Sequence, residues 1–243
     1  MEKENDAVKG TIRQRVQAVR AKISESAGRA GRSAGEIRLV GVTKTRTVEE
    51  MQEAVPLVDA LGENRVQEAL SKKESWPSEV KAEWRLIGHL QSNKVRRAVT
   101  LFDSLDSLDS VSLVRAVERA ASEEGRLVPV LIEVNTAEED SKTGALPEDF
   151  PEILDCILES SHLNLQGLMT IGPLTEEETR VRRAFARLRE MASEARRRSG
   201  LPLPVLSMGM SSDFQWAILE GSTMVRIGAL LFGPRAVRNV NVN

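Results

Sequence analysis

The sequence predicts an α/β fold: a single closed (β/α)8 barrel with one extra helix in front of it. Three observations carry this reading. Eight short apolar runs recur along the chain, helical patterns separate most of them, and polar residues or glycine collect where the runs end. Strands alternating with helices imply a parallel sheet with right-handed crossovers, and eight such units match a closed barrel. The chain has 243 residues, and a barrel of this kind commonly takes about 250 residues as one domain. Residues 1–243 are therefore read as one domain, with the helix at about 9–27 and the barrel at about 36–236. A doubly wound open sheet competes, but it usually has fewer strands and often a glycine-rich loop after the first of them. Here GRAGRSAG at 28–35 precedes the first strand, the wrong context for that loop.

Each element follows from its local pattern. Ile12, Val16, Val19 and Ile23 recur at helical spacing within 9–27, and the Gly/Arg/Ser stretch at 28–35 reads as a turn. The strands are IRLVGV (37–42), VDALG (58–62), WRLIG (84–88), LFDSL (101–105), PVLIEVN (129–135), NLQGLMTI (164–171), PVLSMG (204–209) and TMVRIG (223–228). Helical patterns occupy 48–55, 64–73, 91–99, 110–123, 150–160, 176–198 and 213–220. A short apolar segment, ALLFG (229–233), follows the last strand.

Composition narrows the function. With 41% hydrophobic residues, 29% charged residues and a net charge of −2, no global field recommends nucleic acid. The arginines at 180–198 are interspersed with Glu190 and Glu194 on a helical pattern and read as a solvated face; no aromatic platform accompanies them. Cys156, the only cysteine, lies in the apolar run ILDCIL and reads as a core residue, so neither an internal disulfide nor a cysteine metal cluster is expected. The opening MEKENDAVKG is too charged for a secretory signal, and no apolar segment approaches a membrane span. The expectation is a cytoplasmic protein without nucleic-acid or membrane partners. The surface helices show no apolar seam, so a monomer is expected.

In this architecture the active site gathers where strands end and helices begin. Those positions hold Lys44, Gly62-Glu63-Asn64, Gly88-His89, Asn135, Thr170, Ser207 to Ser212 and Arg226-Ile227-Gly228. His89 and His162 are the only histidines, which poorly supports a histidine metal centre. His162, in ESSHLNL, reads as structural or solvated, whereas His89 is placed to line a pocket. Lys44, in LVGVTKTRTVEE, is the informative member. A lysine partly desolvated at a barrel mouth has a lowered pKa, and its free amine can attack a carbonyl. Two Schiff-base chemistries follow, one directly on a substrate and one holding pyridoxal phosphate. A strand-end lysine paired with a carboxylate is the plain structural alternative.

The late strand ends favour the second chemistry. LSMGMSSDF bends through glycine into a helix start carrying Ser211, Ser212 and Asp213. Hydroxyls and free backbone N–H groups there suit a phosphate. MVRIGALLFG offers further backbone donors near Gly228 and Ala229. Phosphate sites in these barrels usually lie around strands seven and eight. Helix capping accounts for either serine alone, but not for its coincidence with the glycine and Lys44. Arg226 either complements the phosphate or points toward a ring.

The ordered set LVGVTKTR, LGENRVQEA (61–69), LIGHLQSNK (86–94), EVNTAEEDSKTG (133–144), GLMTIGP (167–173), LSMGMSSDF (206–214) and GSTMVRIGALLFGPR (221–235) resembles the pyridoxal phosphate homeostasis protein family. The match runs from about residue 10 to 236. The resemblance implies a barrel of the fold-type III kind, similar to the N-terminal domain of alanine racemase, with pyridoxal 5'-phosphate as cofactor. It implies a Schiff base on Lys44, phosphate contacts from Ser211 and from Gly228 with the Ala229 amide, Arg226 approaching the pyridine nitrogen, and Asn64 lining the pocket. Arg85, in EWRLIG, departs from the family, which often has histidine there. The racemases that share this barrel use a tyrosine opposite the lysine and a second domain; this chain has no tyrosine. The implied role is therefore pyridoxal phosphate homeostasis in vitamin B6 and amino-acid metabolism without substantial turnover. Amino acids releasing the cofactor by transaldimination, and apo-enzymes receiving it by transient contact, are the implied partners. The alternative is a weak racemase, decarboxylase or lyase.

Overall fold

The computed structural model describes residues 10–234 apart from 138, 140 and 141. Eight parallel strands close a barrel in sequence order: β1 (Arg38–Val42), β2 (Ala60–Glu63), β3 (Trp84–Leu86), β4 (Ser104–Leu108), β5 (Val128–Glu133), β6 (Leu163–Met169), β7 (Val205–Ser207) and β8 (Met224–Ile227). β8 pairs back onto β1, with Val40 opposite Arg226. The helix α1 (Ile12–Arg29) precedes the barrel. After the successive strands come α2 (Val48–Ala54), α3 (Val66–Glu74), α4 (Val95–Leu101), α5 (Val111–Glu123), α6 (Phe150–Leu158), α7 (Glu178–Ser199), α8 (Phe214–Leu219) and α9 (Ala229–Phe232).

The first helix begins where Thr11 and Gln14 form a reciprocal capping box, which satisfies two orphan donors. Its Ile12, Val16, Val19 and Ile23 are buried with Leu39, Val225, Ile218 and Phe232, so α1 covers the barrel where β8 meets β1. Each such side chain contributes about 1.5–3 kcal/mol relative to exposure. Alternation along the strands sorts the rest. Leu61, Trp84, Leu86, Leu105 and Leu206 face the helices, whereas Val40, Ala60 and Met224 pack together against Val205 inside the barrel. The far side of that lumen is polar: Arg85, Ser104 and Asp106 are all buried on inward positions of β3 and β4.

The clearest departure from the sequence reading is the fourth strand, expected at 101–105 and found at Ser104–Leu108. Leu101 closes α4 instead. The strand alternates polar lumen residues with Leu105, and its register to β5 shifts between Leu105 and Leu108. Cys156 is half-buried against the core rather than inside it. His162 is structural, its Nδ1 lying 2.9 Å from Glu118 Oε1. Among the described residues, no helix is long and apolar enough to cross a membrane, and no group of His, Cys, Asp or Glu could hold a metal ion.

Candidate functional site

The sequence-predicted residues fall on four strand ends that are consecutive around the closed barrel: β7, β8, β1 and β2. Lys44 follows β1 and is half-buried. Its neighbours are held tightly. The Thr43 hydroxyl donates to Glu63 Oε1 at 2.6 Å. Lys72 Nζ, from α3, donates to the Thr43 carbonyl at 2.7 Å, to Glu63 Oε1 at 2.6 Å and to Glu68 Oε1 at 2.7 Å. The Thr45 N–H donates to Glu68 Oε1 at 2.5 Å. Thr45 adopts a left-handed φ of 65°, an uncommon state for a β-branched residue.

Charge in this cluster follows burial. Glu63 is fully buried, and burial holds its carboxyl above the usual range despite the opposing ammonium of Lys72. Burial acts in the same sense on Glu68, but Lys72 and the Thr45 N–H outweigh it and hold that carboxyl below its usual range. Lys72 sits on the charged helix α3, yet its side chain is only 9% exposed. The Glu68–Lys72 spacing of four on a helix was the signal available for the outer half of the pair.

Just after β2, Asn64 carries a buried Oδ1 with no hydrogen-bond partner among the described residues. A side chain at Gly88 would bring Cβ within 2.4 Å of the Asn64 carbonyl, so glycine there lets the β3 end approach Asn64 closely. Such an orphaned acceptor at the mouth is what a bound polar molecule would satisfy.

The β7 and β8 ends enclose a cavity of 650 Å³, lined by Ser211, Asp213, Trp216, Ala229 and Leu230 among others. Ser211 and Ala229, predicted together, share this wall; Lys44, Asn64 and Arg226 do not line it. Gly209 bends the chain into it at φ 99°, and a Cβ there would lie 2.6 Å from Ala217 Cβ. Helix α8 begins after Asp213, later than the two serines, and neither serine caps it. Asp213 Oδ1 instead accepts from the Met210 N–H at 2.6 Å, and burial raises this carboxyl above its usual range. Gly228 packs against β1: a Cβ on it would lie 3.4 Å from Val42.

Arg226 lies inside the barrel, 4% exposed. It donates to the Ser207 carbonyl at 2.7 Å, to the Ser207 hydroxyl at 2.8 Å and to the Thr170 carbonyl at 2.8 Å. Burial lowers its pKa, and the carboxylates of Glu133, Asp106 and Asp213 oppose that shift. Glu133, missed by sequence reasoning, is 1% exposed. Its Oε1 accepts from Thr143 at 2.7 Å while Oε2 has no partner among the described residues. Burial raises its pKa as well. Its inward alternation in VLIEVN was the legible signal. His89 is half-exposed, with Nδ1 3.4 Å from Asp109 Oδ2.

Arg85 belongs to the opposite end of the lumen. It forms a two-pronged pair with Asp106, Nε to Oδ2 and Nη2 to Oδ1 both at 2.8 Å, and Nη1 donates to Glu83 at 2.6 Å. Arg85 and Glu83 border a 660 Å³ opening at the strand starts, away from Lys44.

The alanine racemase N-terminal domain family matches residues 15–236. The pyridoxal phosphate homeostasis protein of Aquifex aeolicus is 40% identical over 223 residues, 91% of this chain and 97% of that one. The chain belongs to the pyridoxal phosphate homeostasis protein family. The Pseudomonas aeruginosa member is 37% identical across 93% of this chain and 96% of its own. Among solved structures, PipY of Synechococcus elongatus with pyridoxal phosphate bound superimposes with a TM-score of 0.77 at 34% identity, covering 87% of this chain and all of PipY. Alanine racemase from Corynebacterium glutamicum shares the fold at a TM-score of 0.69 and 17% identity, covering 93% of this chain but 63% of the racemase. The homeostasis-family likeness thus spans nearly the whole of both chains.

Proposed function

We propose that this protein binds pyridoxal 5'-phosphate and holds it for cytoplasmic homeostasis, attached through Lys44, rather than turning substrate over. The observation that carries the reading is the convergence of Lys44, the orphaned Asn64 and the Ser211–Ala229 cavity on one arc of a family barrel. When bound, the cofactor supplies an electrophilic aldehyde for the lysine amine. The Ser211 hydroxyl and the amides near Gly228 and Ala229 would hold the phosphate. Their charge-assisted bonds are stronger than neutral ones. Asn64 would line the ring. Arg226, fixed by Ser207 and Thr170, would face the pyridine nitrogen without being free to swing. A cation there would disfavour a proton on that nitrogen and weaken the ring as an electron sink. Racemases of this fold share that arrangement, so the case for holding over turnover rests on the absence of a tyrosine.

An amine able to replace Lys44 at the aldehyde would free the cofactor from the protein, so amino acids and apo-enzymes are the proposed recipients, and the barrel is proposed to act as a monomer. The test is a visible absorption spectrum with added pyridoxal phosphate, followed by borohydride reduction and peptide mapping. A stoichiometric band that becomes a permanent adduct on the Lys44 peptide is the expected result. No band, or an adduct confined to other lysines, overturns the reading.

A further inference from the structure

Lys44 lies between two residues whose backbone is gripped from outside the strand. On one side, Thr43 has its carbonyl bound by Lys72 and its hydroxyl bound by Glu63. On the other, Thr45 has its N–H bound by Glu68 and sits at a left-handed φ of 65°. That conformation costs a side-chain-bearing residue on the order of 1–2 kcal/mol and persists only where the surroundings over-determine it. Lys72 ties the grips together. An ammonium has three donors, and the three acceptors here are Thr43, Glu63 and Glu68. Its hydrogen bonds are therefore fully spent on structure.

We infer that Glu63, Lys72 and Glu68 form a clamp that fixes the backbone on both sides of Lys44 and so positions its amine for carbonyl capture. The inference rests on the reading of Lys44 as the cofactor lysine. Fixing the segment in advance removes ordering cost from the capture step. Glu63 and Lys72 are the static members, with side chains 0% and 9% exposed; Glu68, at 26%, is the reachable one. Glu68 also contacts both halves of the device, the Thr45 amide and the Lys72 ammonium. All three act through the backbone and are positioning residues.

Two readings on Glu68→Ala and Glu68→Gln test the clamp. The first is hydrogen exchange of the 43–46 segment in the protein without cofactor. The second is the rate at which added pyridoxal phosphate becomes borohydride-trappable on Lys44. The alanine variant removes a bond to a charged acceptor, so exchange at Thr45 should rise about 10-fold or more, and capture should slow in parallel. The glutamine variant keeps an amide oxygen in the acceptor position and should restore both rates to within about threefold. Should the alanine variant fail to fold, Glu68→Asp keeps the charge but shortens the reach, and the same two rates should move in the same directions. Equal exchange and equal capture across folded variants overturns the clamp even if Lys44 carries the adduct. An adduct on another lysine in the unaltered protein overturns the Lys44 reading, and with it the capture role, while the exchange data still judge whether the segment is clamped.

Discussion

Replacing Arg85 with methionine should destabilise the barrel more than removing its whole ion pair. Arg85 and Asp106 are both inside the lumen, with side chains 5% and 0% exposed, and two parallel bonds join them. Burial alone would lower the arginine's pKa, but Asp106 and Glu83 hold it above its usual value. Arg85→Met leaves Asp106 with only the Ser104 hydroxyl at 2.6 Å. Removing one partner of a buried pair typically costs about 3–5 kcal/mol. For a chain of this size, 1 kcal/mol moves Tm by about 2–4 °C, so the expected fall is about 6–20 °C. Replacing both, as Arg85→Met with Asp106→Leu, should recover much of that loss, because no charge is then stranded. Asp106→Asn should lie between, since Arg85 keeps Glu83 and an amide oxygen. Thermal and urea denaturation of the four proteins checks the order. A single Arg85→Met variant within about 1 kcal/mol of the unaltered protein, or a double variant worse than the single, would refute the reasoning.

Gly209→Ala should cost about 2–5 kcal/mol, from the left-handed φ and the overlap with Ala217, and should weaken cofactor binding because the turn carries Ser211; denaturation and a binding titration read both. Glu133→Gln should flatten the pH dependence of stability. Glu133's pKa is raised by burial in the folded state, so its contribution is fully present below the ordinary carboxylate range and is lost as pH rises through the raised value. The unaltered protein should therefore lose stability relative to Glu133→Gln over that window, and parallel profiles would contradict the assignment.

The barrel was legible because its strands read as uninterrupted apolar runs while its helices carried spaced ones, and the closed order β1 to β8 then follows from eight repeats. LFDSL misled because Leu101 and Phe102 are apolar for the sake of α4 and its end, whereas the true strand mixes Ser104 and Asp106 with leucines. A polar lumen breaks the rule that buried strands are apolar. A different cause hid the clamp. A lysine on a charged helix reads as solvated, and only the fold brings Glu63, nine residues earlier and on a strand, within 2.6 Å of it. The positions of Ser211 and Ala229 were readable from strand ends alone, since architecture dictates where loops converge.

Whether the mouth can do more than hold its cargo turns on one further group. Proton transfer to a substrate carbon on both faces needs a second acid–base residue besides the lysine, and the chain has no tyrosine. Among the described carboxyls near the mouth, Asp213 has one oxygen bound to Met210, and Glu63 turns outward to Lys72 on α3. His89 stands half in solvent beside Asp109. Glu133 is left, with Oε1 on Thr143 and Oε2 unspent, inside the lumen within the field of Arg226. One tethered carboxyl beside a fixed cation is poor equipment for racemisation. In heavy water, the loaded protein should therefore exchange the α-hydrogen of added alanine no faster than free cofactor does. Exchange far above that rate, abolished in Glu133→Gln while capture at Lys44 is retained, would make this barrel an enzyme and Glu133 its base.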